Sequence, residues 1–250
     1  MTQDDGSWLS RGLTQIALMD TTAHSGEMGS LATNLKTAYY PGKLYQSFDL
    51  MEAEVEMELI YISNRSSLIK TKVTNRAEKA RHLRLEWFGI ANQVFEEEID
   101  QNGLIMPLKE GFLKITFASP IQNVGFKTVD GNRSYNNIPK EVMYLQPGES
   151  EEASITVSVY FDRAEMNEDQ ANIDRALKDP EGQFAANAKR WNGYLKKFSQ
   201  LKYPQYKMLA AKALNTLMNN WRSPAQDLHY NGLFPSYAYR GFHGVWSWDS

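Results

Sequence analysis

The chain is 250 residues long, enough for one or two domains and a sizeable core. Its 27 basic and 30 acidic side chains leave a net charge of -3, which argues against electrostatic capture of nucleic acid or anionic lipid. There is no cysteine, so disulfide frameworks, thiolate metal sites and cysteine nucleophiles are excluded, and any chemistry falls to carboxylates, His, Ser, Tyr or Lys.

Along the first 50 residues, Ser25-Gly26, Gly29-Ser30 and Pro41-Gly42 punctuate strands and loops. From Glu52 to Ile62 the pattern becomes regular: Glu54, Glu56 and Glu58 alternate with Val55, Met57, Leu59 and Tyr61, the period of a half-buried strand. Ser63-Asn64-Arg65-Ser66 reads as a turn. Beyond it Lys70 and Lys72 alternate with Ile69, Thr71 and Val73, so acidic and basic outer faces can pair across a hairpin. The same alternation returns at Leu83 to Trp87, Phe112 to Phe117, Ile121 to Lys127 and Ala153 to Phe161, separated by Asn102-Gly103, Asp130-Gly131 and Pro147-Gly148. Many short, one-face-polar strands predict an antiparallel β-sandwich over residues 1–162.

After Asp162 the period turns helical and the composition shifts to Ala, Lys, Asn, Gln and Leu, which predicts a helical linker over 163–203. Asp179-Pro180 is an N-cap followed by proline at the first helical position, and Phe184, Ala188, Trp191, Leu195 and Phe198 define its apolar stripe. Pro204 opens a further helix with a stripe of Met208, Leu209, Ala213, Leu214, Leu217, Met218 and Trp221, ended by Ser223-Pro224. Two such helices need more partners than the chain supplies. Seven of the last 22 residues are aromatic, interleaved with glycine and polar groups rather than set at helical spacing. Such a segment fits either aromatic packing or a sugar site, because pyranose C–H faces stack on Trp and Tyr while hydroxyls need groups such as Arg240, His243 and Asp249. An aromatic end of this kind is expected inside a larger body.

The motifs Asn219-Asn220-Trp221-Arg222-Ser223-Pro224, Gly232-Leu233-Phe234-Pro235-Ser236-Tyr237 and Gly241-Phe242-His243-Gly244-Val245-Trp246-Ser247-Trp248-Asp249-Ser250 resemble bacterial enzymes of glycoside hydrolase family 63, relatives of processing α-glucosidase I. Arg190-Trp191-Asn192-Gly193-Tyr194-Leu195 fits that family's helical linker. The resemblance implies that residues 204–250 open an (α/α)6 toroid after the sandwich, a multi-domain α+β architecture. It implies inverting hydrolysis of α-glucosidic bonds, with Trp246 and Trp248 as apolar walls of the sugar subsite and Asp249 accepting hydrogen bonds from hydroxyls. Phe242, His243 and Arg240 join them as substrate-binding candidates. The catalytic acid and base are expected C-terminal to Ser250, so the 250-residue chain alone is expected to be inactive. The implied partners are an oligosaccharide and the remainder of the catalytic domain, with neither nucleic acid nor membrane, in the cytoplasm or periplasm of a bacterium. Inverting hydrolysis requires no cofactor, and room is left for a structural calcium ion.

Other candidates are weaker. The run Glu96-Glu97-Glu98 with Asp100 is more simply a solvated face than a calcium site, and His24 and His82 lack neighbouring ligands at metal-binding spacing. Asn64-Arg65-Ser66 and Asn132-Arg133-Ser134 match the glycosylation pattern in turns, without an export signal. Dinucleotide, Walker, serine-hydrolase and zinc-protease motifs are absent. The rival readings are another (α/α)6 enzyme, such as a trehalase-like hydrolase, and a non-catalytic carbohydrate-binding or assembly sandwich.

Overall fold

A computed structural model describes residues 10, 12–22, 31–91, 98–100, 102–108, 111–129, 132–199, 203–224, 229–233, 237–238 and 242–243. The period-two segments form β1 (Gly12–Asp20), β2 (Thr33–Tyr40), β3 (Lys43–Leu50), β4 (Ala53–Tyr61), β5 (Ser66–Asn75), β6 (Arg81–Ala91), β7 (Glu98–Asp100), β8 (Gly103–Pro107), β9 (Phe112–Phe117), β10 (Ile121–Val129), β11 (Asn132–Pro139), β12 (Met143–Leu145) and β13 (Ser150–Tyr160). They assemble into two antiparallel sheets. The larger runs β2-β3-β4-β5-β13-β9-β8-β7 and the smaller β1-β6-β11-β10, with β12 also paired to β6. Leu18, Leu83, Leu85 and Trp87 of the smaller sheet join Val55, Ile69, Val73, Leu113, Ile115, Phe117 and Ile155 of the larger in one buried core. Burying each aliphatic side chain contributes about 1.5–3 kcal/mol, which is why the alternation fixes which face turns inward. The β4–β5 register is the one the charges predict: Glu58 lies opposite Lys70 and Glu56 opposite Lys72, with Nζ–Oε2 distances of 3.7 and 3.8 Å.

At one end of the sandwich Arg81 links the two sheets. It donates through Nε and Nη2 to Asp20 Oδ2 at 3.0 and 2.8 Å and through Nη1 to the Met51 carbonyl at 2.8 Å. Met51 and Glu52 form the β3–β4 turn with φ of 53° and 57°, left-handed values that favour glycine or asparagine, so the arginine bond holds a strained turn.

The chain turns helical at residue 163, where the sequence pattern changes. A helix precedes Pro180: α1 (Arg163–Lys178) is capped by Asp162, whose Oδ1 accepts from the Glu165 amide at 2.9 Å. Its buried positions are Met166, Asp169, Ile173 and Ala176, and a carboxylate within that set blurs the apolar stripe that sequence reading relies on. The second helix, α2 (Pro180–Ser199), starts as expected, with Asp179 Oδ1 accepting from the Gly182 amide at 2.9 Å. Of the predicted stripe, Phe184, Trp191 and Leu195 are half-buried and Ala188 is exposed, while the Phe198 side chain lies outside the described residues; Asn187, beside the stripe, is buried because its amide donates to the Gly42 carbonyl at 3.0 Å. A 3-10 turn at Pro204–Tyr206 leads into α3 (Lys207–Asn219). Trp221 lies outside α3, in a short strand, so the predicted helix is shorter than its apolar stripe.

Candidate functional site

The predicted sugar subsite falls mainly outside the described residues: Arg240, Trp246, Trp248 and Asp249 all lie there. Of Phe242 and His243 the backbone is described. They form β17 (Phe242–His243), which pairs antiparallel with β16 (Tyr237–Ala238), Tyr237 opposite His243 and Ala238 opposite Phe242. Upstream, β14 (Trp221–Arg222) pairs with β15 (Gly232–Leu233). Two short antiparallel strand pairs therefore follow α3 among the described residues.

What positions α3 is the attachment of the helices to the sandwich. Gly42 in the β2–β3 turn has φ +76°, and a Cβ there would lie 1.7 Å from Trp191 Nε1, so only glycine admits the indole of α2. The Tyr39 hydroxyl on β2 donates to Asn215 Oδ1 of α3 at 2.8 Å. Leu214 and Asn215 are the buried residues of α3, whereas Met208, Leu209 and Leu217 are 82%, 65% and 50% exposed. Most of the apolar stripe found in the sequence thus faces outward, with Leu214 buried and Met218 half-buried.

A polar seam fixes α1 and α2 over the outer face of the larger sheet. Asp169 Oδ2 accepts from the hydroxyls of Ser63 and Tyr160, each at 3.0 Å, and from Ser66, while Oδ1 accepts from the Asn172 amide at 2.9 Å. Burial pushes the Tyr160 phenol above its ordinary value, and the Asp169 charge adds to that rise. Arg65 donates to Glu165 through Nη2 at 2.7 Å, and Lys114 to Gln170 at 2.9 Å. Lys70 pairs with Glu181 at the start of α2; burial opposes its charge, but Glu181, Glu152 and Glu58 together hold its pKa above the ordinary lysine value. These groups are partnered among themselves and serve as docking contacts.

The remaining candidates that lie among the described residues have structural partners. His82 packs against Tyr144 with the rings tilted by 59° and their centroids 4.6 Å apart. In the acidic run, Glu98 pairs with Arg163 and Asp100 lies 3.8 Å from Lys114, while Glu96 and Glu97 lie outside the described residues, as does His24. Among the described residues no group of three or more His, Asp or Glu side chains is placed to hold a metal ion, and no helix is long and apolar enough to cross a membrane. Sequence reading missed Asp169 and Arg81; a lone Asp and a lone Arg carry no motif, and only the fold brings their partners together.

Residues 1–111 match the family described as Glucosidase YgjK, N-terminal, so just under half of the chain is similar to the N-terminal region of a glucosidase. The narrower likeness to glycoside hydrolase family 63 rests on the C-terminal motifs. Among solved structures, an aldose 1-epimerase-like protein from Escherichia coli K12 is 8% identical, with 51% of this chain covering 69% of that one at a TM-score of 0.44. A polysaccharide lyase is 12% identical, with 65% of this chain covering 27% of that one at a TM-score of 0.43. A kojibiose phosphorylase from the human microbiome is 9% identical, with coverages of 83% and 28% and a TM-score of 0.40. The chain spans little more than a quarter of the length of the lyase and the phosphorylase.

Proposed function

We propose that this chain is the N-terminal part of an inverting glycoside hydrolase that acts on α-glucosidic linkages of oligosaccharides. The observation that carries the reading is the match of residues 1–111 to a glucosidase N-terminal region. The order of sandwich, helices and aromatic segment is consistent with it. In this reading Trp246 and Trp248 wall the sugar subsite, Asp249 accepts hydrogen bonds from hydroxyls, and Phe242, His243 and Arg240 complete it. The general acid and base come from residues outside this chain. Inversion needs those two carboxyl groups roughly 6.5–9.5 Å apart, wide enough for the attacking water, and uses no cofactor.

Two measurements test the proposal. The complete parent enzyme is incubated with α-linked glucose oligosaccharides and the first-formed anomer is followed by proton NMR. Initial β-glucose is expected; initial α-glucose refutes inversion, and no release from any α-glucoside refutes the activity. The purified 250-residue chain is expected to release no glucose. Release that scales with its concentration would show that the acid and base lie within it.

A further inference from the structure

We propose that the edge of the larger sheet carries a second, neutral saccharide-binding subsite, separate from the aromatic segment. A hollow of about 550 Å³ opens there, within the usual size range of small-molecule sites. Its origin is a strand irregularity. Thr33 pairs with Asp49 and Lys36 with Ser47, so β2 spends one more residue than β3 over the same stretch. Such a bulge bends the strand away and re-aims its side chains. Asn34, within the bulge, has φ 53°, a left-handed value outside the ordinary strand range. The irregularity presents Asn34, Leu35 and Lys36 to Asp49 of β3, Glu54 of β4 and Arg76, which follows β5.

The chemistry of this set selects the ligand class. Asp49 and Glu54 are directly opposed across the β3–β4 ladder, an arrangement of like charges that a sheet ordinarily avoids. Each has one built-in partner: the Asn34 amide donates to Asp49 Oδ2, and Arg76 donates to Glu54 Oε2, its Nε at 3.1 Å. A carboxylate offers about four lone-pair sites and a guanidinium five N–H groups, so both pairs retain capacity for a ligand while holding each other in place. Two cations and two anions line the hollow, so an anionic ligand meets Asp49 and Glu54 and a cationic one meets Lys36 and Arg76. A hydroxyl, which donates and accepts at once, uses both kinds of group. Leu35, 62% exposed, supplies an apolar surface for a sugar C–H face. A polyhydroxylated neutral ring satisfies all three requirements.

The inference stands apart from the glycosidase reading and is tested on the 250-residue chain. Isotope-labelled protein is titrated with maltotriose and amide shifts are followed by heteronuclear NMR. Saturable shifts are expected at Asn34 to Lys36, Ser47 to Asp49 and Arg76, with affinity reduced about tenfold or more by Asp49→Ser. Lys36→Ala, on the exposed edge strand, provides an independent variant should Asp49→Ser alter folding; the same direction of loss is expected. Asp249→Ser is expected to leave the shifts at the hollow unchanged. Shifts confined to the segment after Tyr237, shifts that survive both hollow variants, or no shifts at all would each overturn the subsite. Failure of the parent enzyme to hydrolyse α-glucosides would leave these shifts in place, so the two readings fail separately.

Discussion

Replacing Gly42 by alanine tests whether the close approach of α2 to the sandwich is what fixes that helix. The backbone at Gly42 is left-handed, which costs an L-residue about 1 kcal/mol. The new methyl would sit 1.7 Å from Trp191 Nε1, against an ordinary contact of about 3.5–4 Å, so the indole must move by about 2 Å. That displacement removes the Asn187–Gly42 hydrogen bond, worth about 1 kcal/mol, and a comparable share of the packing of Trp191. The total destabilisation is about 3 kcal/mol, a fall in melting temperature of about 6–12 °C for a chain of this size. Gly148 supplies the control. It has φ +80°, but a Cβ there meets nothing within 4 Å, so Gly148→Ala carries the backbone cost alone and lowers the melting temperature by about 2–4 °C. Thermal melts followed by circular dichroism measure the pair, and amide exchange reports whether α2 opens. Equal shifts in the two variants, with α2 amides equally protected, would refute the steric account.

Three further outcomes are expected. Asp169→Ala leaves the hydroxyls of Ser63, Ser66 and Tyr160 without their shared acceptor and should cost about 2–4 kcal/mol in urea unfolding, with the α1 amides losing protection; a loss below about 1 kcal/mol would show that the hydroxyls satisfy one another. Thr156→Val should raise stability by about 1 kcal/mol, because the Thr156 Oγ1 is buried without a hydrogen-bond partner and valine keeps its shape; a destabilised variant contradicts this. Burial raises the Asp20 pKa, but hydrogen bonds from Thr22 and Arg81 outweigh it and hold the carboxyl below 3.8, so its contribution is complete above that value and is lost as pH falls through the folded pKa. The stability gap between the wild type and Asp20→Asn should therefore narrow on acidification from about pH 6 to about pH 3, and a constant gap would refute the assignment.

The strands were legible because burial imposes a period of two. Glu54, Glu56 and Glu58 facing Lys70 and Lys72 gave both the hairpin and its register, since a one-residue slip would have buried charge and exposed Val55 and Val73. Helix α2 was legible through its Asp179-Pro180 start and through Phe184, Trp191 and Leu195, which lie on its half-buried side; what the stripe could not show is the burial of Asn187, which reaches a carbonyl on a turn 145 positions away. Helix α1 falls in the stretch after Asp162 that reads as helical, but its docking was not legible: among the buried Met166, Ile173 and Ala176 sits Asp169, whose partners are hydroxyls on the sheet. The hollow was also out of reach. Nothing in Asn34-Leu35-Lys36 announces a bulge, which arises from how β2 registers on β3. The aromatic segment was the opposite case, conspicuous in composition while the placement of its side chains depends on contacts that composition does not encode.

The three helices are held in different ways, and that difference predicts the order in which they open. Helices α1 and α2 are tied to the sheet by directional polar contacts, Asp169, Arg65–Glu165 and Lys70–Glu181, and by burial of Ile173 and Ala176 and the close fit of Trp191 on Gly42. Helix α3 buries Leu214 and Asn215 while Met208, Leu209 and Leu217 stay on the surface, so opening it sacrifices little apolar contact. Free energies of local opening follow buried area and protected hydrogen bonds. In native-state amide exchange on this chain, the α3 amides should exchange fastest of the three helices, and the β5, β13 and β9 amides slowest. A ligand or partner that covers the outward stripe of α3 would reverse its position in that order. Slow exchange of α3 in the isolated chain, equal to that of β13, would show that its exposed apolar face is already covered in solution.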